Sequence, residues 1–301
     1  MNLLITGAWN HSDDQLNKIR SMGHHVVLMQ QEKDDLPCPA EEIEGVICNG
    51  LFLYHDIGLF RALRYIQLTS AGFDRVPLDY IGSHGIELHN ARGVYSIPMA
   101  EFAVGGVLQI YKQSRFFYEN QKNGKWEKHR GLLELNGKTV LIVGCGSVGT
   151  ECAKRFGAFG CNVIGVDVVS VDSPAFNQTC SIEGIAELLP AADVVLLSVP
   201  LTKETEGLFD ARLFAQMKDG AVFVNLARGR LVDVDALLGN LGRLGGAVLD
   251  VFPEEPLDPS SPLWDEEKVI LTPHVSFVGD NNAKRLSKLI FGNLETKNEN
   301  D

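Results

Sequence analysis

The stretch TVLIVGCGSVGTECAKRFGAFGCNVIGVD, residues 139–167, decides how the rest of the chain is read. Val140-Leu141-Ile142-Val143 is an apolar run of strand length that passes directly into Gly144-x-Gly146-x-x-Gly149. A segment of helix length follows, and a second apolar run, Val163-Ile164-Gly165-Val166, ends on Asp167. Glycines at this spacing carry weight only between a strand and a helix, and that is where they stand. The first permits a tight turn, the second lets backbone approach a pyrophosphate, and the third lets the helix pack against the strand. Unpaired N–H groups at the helix start, around Ser147 and Val148, then face the phosphates with the positive end of the helix dipole.

Asp167 lies close to the distance at which an acid binds the ribose 2′-hydroxyl of a dinucleotide. A carboxylate there repels the additional phosphate of NADP, so the sequence predicts NAD as the cofactor. A turn of this kind usually opens a nucleotide-binding domain, yet nearly half of the 301 residues precede it. A chain of this length exceeds the usual span of one hydrophobic core, so two domains are expected.

The hydrophobic pattern agrees. Leu3-Leu4-Ile5, His25–Met29, Gly45–Cys48, Tyr65–Leu68 and Ile86-Glu87-Leu88 alternate with polar stretches of helix length, which implies a first parallel sheet. After residue 139 the alternation starts again, with later runs at Val194–Leu197, Ala221–Val224, Gly246–Leu249 and Val269-Ile270-Leu271. These predict a second, doubly wound sheet of about six strands. Between the sheets, Ser96 and Pro98 mark the entry of one long helix running to about Tyr118. Another helix, from Gly279-Asp280 to about Leu294, follows the second sheet.

Composition removes several classes of function. With 45% hydrophobic and 22% charged residues the chain reads as globular, and a formal net charge of −12 disfavours nucleic acid as a partner. No basic leader is read at Met1–Gly7, and no apolar run reaches the ~18 residues of a membrane span, so a cytoplasmic location is expected. The six cysteines show neither Cys-x-x-Cys pairs nor zinc-like spacing with histidine, which predicts reduced thiols and no metal site.

Three segments place polar residues just beyond predicted strands: VNLARGRLVD (224–233), LDVFPEEPL (249–257) and LTPHVS (271–276). Ligands of open parallel sheets bind beyond the carboxyl ends of strands, so Arg228, Asp250, Glu254, Glu255 and His274 are candidates to converge there. Arginine is a planar, always-charged donor for a carboxylate, histidine exchanges a proton near neutrality, and a neighbouring acid orients the imidazole. Together they suit hydride transfer to or from a hydroxy acid. The seven other histidines are read as structural or solvated.

On these motifs, and on PLTKETEGLF (200–209) and GAVLDVFPEEPLDPSSPLW (246–264), the chain resembles the D-isomer-specific 2-hydroxyacid dehydrogenase family. The resemblance implies two doubly wound α/β domains: a flavodoxin-like substrate domain, residues 1–97 plus 276–301, and an inserted Rossmann NAD-binding domain, residues 98–275. It makes Arg228 the residue that grips substrate, Glu255 the acid paired with the histidine, and His274 the general acid/base. Glu254 occupies a variable position. Cofactor contacts are implied at Met99, at the glycine turn (Gly144, Gly146, Ser147, Val148, Gly149), at Asp167, at Val199, Pro200 and Thr205, at Leu226, Ala227 and Arg228, and at Asp250 and His274.

LTSAGFDRVPLD (68–79) resembles the family's carboxylate-binding loop, with Ser70, Ala71 and Gly72 at its centre, and Asn49 in ICNGLFLY is a candidate for the pocket wall. Arg92, Tyr95 and Phe277 depart from the residues common in the family and leave the substrate's size and charge open. The expected reaction interconverts a small 2-keto acid and its D-2-hydroxy acid in a homodimer. The rivals are a non-catalytic NAD(H)-sensing scaffold and a phosphoglycerate dehydrogenase without a regulatory domain.

Overall fold

A computed structural model describes residues 1–169 and 171–300. The chain divides into two compact units, Met1–Tyr95 with the segment from Gly279 onward, and Ser96–Val278. The first unit contains β1 (Asn2–Thr6), α1 (Asp13–Ser21), β2 (His25–Met29), β3 (Gly45–Cys48), β4 (Tyr65–Leu68), α2 (Leu78–Ser83) and β5 (Glu87–His89). Its strands form one parallel sheet in the order β2-β1-β3-β4-β5, the flavodoxin-like order. α1 starts on a capping box: Ser12 Oγ accepts from Gln15 N–H at 3.3 Å, and Ser12 N–H donates to Gln15 Oε1 at 2.8 Å.

The second unit opens with α3 (Ser96–Tyr111) and α4 (Ser114–Lys122) and continues with β6 (Thr139–Val143), α5 (Ser147–Ala158), β7 (Asn162–Asp167) and β8 (Gln178–Ser181). There follow α6 (Ile185–Leu188), β9 (Val194–Leu197), α7 (Ala211–Gln216), β10 (Val222–Asn225), α8 (Val234–Asn240), β11 (Gly246–Leu249) and β12 (Val269–Leu271). α9 (Asn282–Asn300) returns the chain to the first unit.

The second sheet is parallel throughout, with seven strands in the order β12-β11-β10-β9-β6-β7-β8. The expected count of about six omitted β8. Its sequence, Gln-Thr-Cys-Ser, has no apolar run because it is an edge strand without a fully buried residue. Counted from β6, the order is the Rossmann order 3-2-1-4-5-6 with one further strand. The central strands are buried on both faces, which is why they read as unbroken apolar runs. Along β6, Leu141 and Val143 enter a cluster with Phe209, Phe214 and Phe223, while Val140 and Ile142 pack against Ala103, Val107 and Phe156 of α3 and α5.

The single long helix expected from Pro98 to Tyr118 is two helices. Gln113 takes a left-handed conformation (φ 53°) and turns the chain between them, which is not legible in a residue that favours helix. The last helix runs six residues past the expected end at Leu294. Its Leu286, Ile290 and Leu294 complete the apolar layer of Leu3, Ile5 and Trp9. Trp9 Nε1 donates to Ser287 Oγ at 3.1 Å, and Asn293 Nδ2 to Gln67 Oε1 at 2.7 Å. All six cysteines are free thiols.

Candidate active site

The glycine turn is built by close approach. At Gly144 (φ 104°) a Cβ would fall 2.7 Å from the Ser198 carbonyl carbon, and at Gly149 it would fall 1.9 Å from the Gly144 oxygen. Ser198 Oγ reinforces the turn by donating to Gly144 O at 2.7 Å. Gly146 differs, since nothing lies within 4 Å of a Cβ built there. No protein atom requires glycine at this position, so the open space is what a closely approaching ligand would need. Gly146 is the N-cap of α5 and provides no side-chain cap, so Ser147, Val148 and Gly149 open a twelve-residue helix whose first N–H groups face that space.

Asp167 ends β7 beside the turn. Its Oδ2 accepts from Cys145 N–H and its Oδ1 from Val168 N–H, each at 2.7 Å. The carboxylate is therefore both a turn former and fixed in place, with a lone pair left on Oδ2 for a hydroxyl. These features fit a dinucleotide: a helix start for the pyrophosphate and an acid for the ribose.

Beyond β9, Val199 is buried and Thr205 is engaged within its own loop, donating to Pro200 O and accepting from Thr202 N–H at 2.7 and 2.8 Å. Met99 lies half-buried against the apolar cluster shared by α3 and α5. Leu226 and Ala227, buried, lead from β10 into Arg228. Asn225, the last residue of β10, accepts from Ala227 N–H at 3.1 Å and donates to Arg228 O at 2.9 Å. Arg228 is half-exposed in an extended conformation, with Nη1 donating to Ala227 O at 2.7 Å. At Gly229 a Cβ would stand 1.8 Å from the Phe252 carbonyl carbon, so only glycine lets the arginine loop lie against the segment leading to Glu255.

Glu255 and His274 meet. Nδ1 of His274 is 2.8 Å from Glu255 Oε2, and Glu255 Oε1 accepts from Phe252 N–H at 3.0 Å. A carboxylate only accepts, so Nδ1 carries the shared proton and Nε2 is the end of the ring directed to other chemistry. Glu254 is exposed. His274 sits at φ 52°, a conformation that histidine rarely adopts.

Asp250 supports that conformation. It is fully buried, and its backbone oxygen accepts from His274 N–H at 2.8 Å. Its Oδ1 accepts from Thr272 Oγ1 at 2.6 Å and from Val275 N–H at 2.8 Å, and its Oδ2 from Ser276 N–H at 2.8 Å. The Phe277 ring meets the imidazole edge to face at 5.9 Å. Beside the pair lies a mostly apolar cavity of about 480 Å³, walled by Phe252, Leu257, Trp264 and Leu271.

Asn49, Ser70, Ala71 and Gly72 belong to the first unit, beyond the carboxyl ends of β3 and β4. Ser70 Oγ donates to Gly72 O at 3.2 Å, and Asn90 Nδ2 to Ala71 O at 2.6 Å, which shapes a tight loop. Arg92 is exposed in the next turn, and the Tyr95 hydroxyl donates to Thr69 O. Burial raises the pKa of Tyr95, so that hydroxyl stays a donor. Sequence reasoning missed Asn225, Ser198, Gly229 and Thr272. A lone Asn closing an apolar strand was a usable sign for the first; the others are explained only by contacts across the fold.

An open parallel sheet with a glycine turn opening a helix at its switch point, and an acid-held histidine beyond its strand ends, is the arrangement of nicotinamide-dinucleotide dehydrogenase domains. The chain belongs to the D-isomer specific 2-hydroxyacid dehydrogenase family: residues 104–276 match the family's NAD binding domain. It is 33% identical to the glyoxylate reductase of Thermofilum pendens over 77% of this chain and 71% of that protein. With the D-3-phosphoglycerate dehydrogenase of Archaeoglobus fulgidus it shares 36% identity over 71% of its own residues, spanning 41% of the length of that relative. Among solved structures, a D-isomer specific 2-hydroxyacid dehydrogenase family protein from Aeromonas salmonicida superposes with a TM-score of 0.80 at 28% identity, covering 97% of this chain and 94% of that one. Among the described residues, no helix is long and apolar enough to cross a membrane.

Proposed function

We propose that the protein reduces a small 2-keto acid to its D-2-hydroxy acid with NADH, or runs the reverse reaction. The observation that carries this reading is the 2.8 Å contact of His274 Nδ1 with Glu255 at the strand ends of an NAD-binding domain. Bound cofactor supplies the hydride that passes to the keto carbon. Arg228 holds the substrate carboxylate and polarises the carbonyl, because its guanidinium is a charged fork of donors. His274 Nε2 gives a proton to the oxygen as negative charge develops there, and Glu255 keeps the ring in the tautomer and orientation that allow it. Within the first unit, Ser70, Ala71 and Gly72 offer backbone donors to the carboxylate, and Asn49 faces the substrate. Phe277, against the imidazole, bounds the substrate's side chain.

A second reading, oxidation of a phosphate-bearing hydroxy acid, is favoured by the phosphoglycerate-oxidising relative and by the exposed Arg92, which suits a second anionic group. A cytoplasmic homodimer is part of the proposal. The exposed aromatics Phe117, Tyr118 and Trp126 support its interface.

NADH oxidation against glyoxylate, pyruvate, hydroxypyruvate, branched 2-keto acids and phosphohydroxypyruvate tests the reading. Turnover of one of them should fall by about a hundredfold or more in His274→Ala, while NADH binding is kept. No turnover in a protein that binds NADH would point to the sensing scaffold instead.

A further inference from the structure

The first unit holds a polar cluster whose acid, Glu32, has no part in the proposed reaction. Its sheet reverses its winding between β1 and β3, and the crevice beyond the carboxyl ends of two such strands is where open parallel sheets receive ligands. Here a side chain of the protein occupies it. Glu32, in the loop after β2, accepts at Oε1 from Thr6 Oγ1 (2.7 Å) and Asn49 N–H (2.6 Å), and at Oε2 from Gly50 N–H (2.6 Å). Thr6 is the last residue of β1, and Asn49 and Gly50 directly follow β3.

Two backbone N–H groups and a hydroxyl around one carboxylate form a donor set of the kind that grips small anions, and charge makes each of these bonds stronger than a neutral one. Glu32 is itself held, since its backbone oxygen lies 2.9 Å from His55 Nε2. The Asn49 side chain does not fix the loop through its oxygen, because Oδ1 is buried without a partner. A Cβ at Gly50 would meet Leu53 Cδ1 at 3.3 Å and Glu32 Oε2 at 3.5 Å, so the acid packs closely on the turn.

We infer that Glu32 is an internal ligand of the first unit's switch point and the positioning residue for the Asn49–Gly50 loop, and through that loop for recognition of the 2-keto acid. The inference rests on the proposed function, in which Asn49 faces substrate. With both loop N–H groups committed to Glu32, the loop's backbone donors are not open to the substrate. Without the carboxylate the loop loses two charge-assisted bonds, and with them its tie to the end of β1 through Thr6.

The test compares Glu32→Ala and Glu32→Gln with the wild type, by steady-state kinetics and by hydrogen exchange of the peptide spanning residues 46–54. In Glu32→Ala the KM for the keto acid should rise by about tenfold, the effect of losing one charged hydrogen bond's worth of positioning. The kcat should stay within about threefold and the KM for NADH should not move. Glu32→Gln should recover part of the KM, because its amide oxygen still accepts from one loop N–H. Exchange should accelerate in that peptide and nowhere else in the first unit.

An unchanged keto-acid KM, or protection lost across the whole first unit, overturns the inference. If Glu32→Ala does not fold, Glu32→Gln carries both measurements. Exchange needs no turnover, so a wild-type protein that reduces no 2-keto acid defeats the proposed function, while the hold of Glu32 on the loop is still decided by the peptide.

Discussion

Replacing Asp250 by Asn removes a charge and one acceptor from the point at which the His274 segment is hung. The carboxylate accepts from Thr272 Oγ1, Val275 N–H and Ser276 N–H within 2.8 Å, at a residue with no solvent exposure. An amide oxygen in the Oδ1 place can keep Thr272 and Val275, but the NH2 group then faces the buried Ser276 N–H, donor against donor. One unsatisfied buried N–H costs about 1–3 kcal/mol, and two bonds weakened from charged to neutral add about 1–2 kcal/mol. The expected loss is thus about 2–5 kcal/mol, which a domain of ordinary stability survives.

The effect on turnover follows from φ 52° at His274. A non-glycine residue in that region carries about 1–3 kcal/mol of strain, held in place by the surrounding bonds. Once the Asp250 anchor weakens, the segment relaxes and Nδ1 leaves Glu255. Converted at about 1.4 kcal/mol per tenfold, the released strain predicts a fall in kcat of about 5- to 150-fold. Urea unfolding followed by tryptophan fluorescence reads the first figure, and keto-acid turnover at saturating NADH reads the second. If stability stays within about 0.5 kcal/mol of wild type, and the change appears in NADH affinity instead, Asp250 acts as a direct cofactor contact and the positioning argument is wrong.

Gly229→Ala drives a methyl into the Phe252 backbone, so it should cost about 1–3 kcal/mol or more and misplace Arg228; a melting temperature and kcat equal to wild type would show that the loop yields freely. Asp167→Ser should erode the preference for NAD(H) over NADP(H), read as the ratio of kcat/KM values; wild-type enzyme preferring NADPH would refute the role of the acid. Burial, with the N-terminal ammonium and Arg64 adding to it against Glu44, lowers the pKa of His24 from 6.5. The unfolded chain therefore takes up the proton first. The contribution of neutral His24 to stability is full above pH 6.5 and is lost as pH falls through the folded value, so urea midpoints of His24→Gln should decline less on acidification than those of wild type.

Much of this molecule is legible in residues because its central strands are buried on both faces, so Val140–Val143, Val194–Leu197 and Val222–Val224 appear as continuous apolar runs. The edge strand Gln178–Ser181 escapes for the opposite reason, since one side of it meets solvent and its residues need not be apolar. The break at Gln113 escapes because nothing in a glutamine announces a positive φ. In the candidate site, Glu255 and His274, which meet at 2.8 Å, stand out in the sequence because each follows a strand end. The contacts that fix the loops do not stand out there. Asp250 reaches forward to Ser276, Gly229 presses on Phe252, and Glu32 crosses to Asn49, all through contacts between segments that sequence spacing does not pair.

The last helix adds a matter of timing. Residues 282–294 supply one face of the first unit's core, yet they are synthesised after the whole of the second unit. During synthesis the opening segment must wait with Leu3, Ile5 and Trp9 uncovered, while the later-made nucleotide unit can already close on itself. The unit that begins the chain is thus the last to be completed, and its waiting surface is where a chaperone would find this protein.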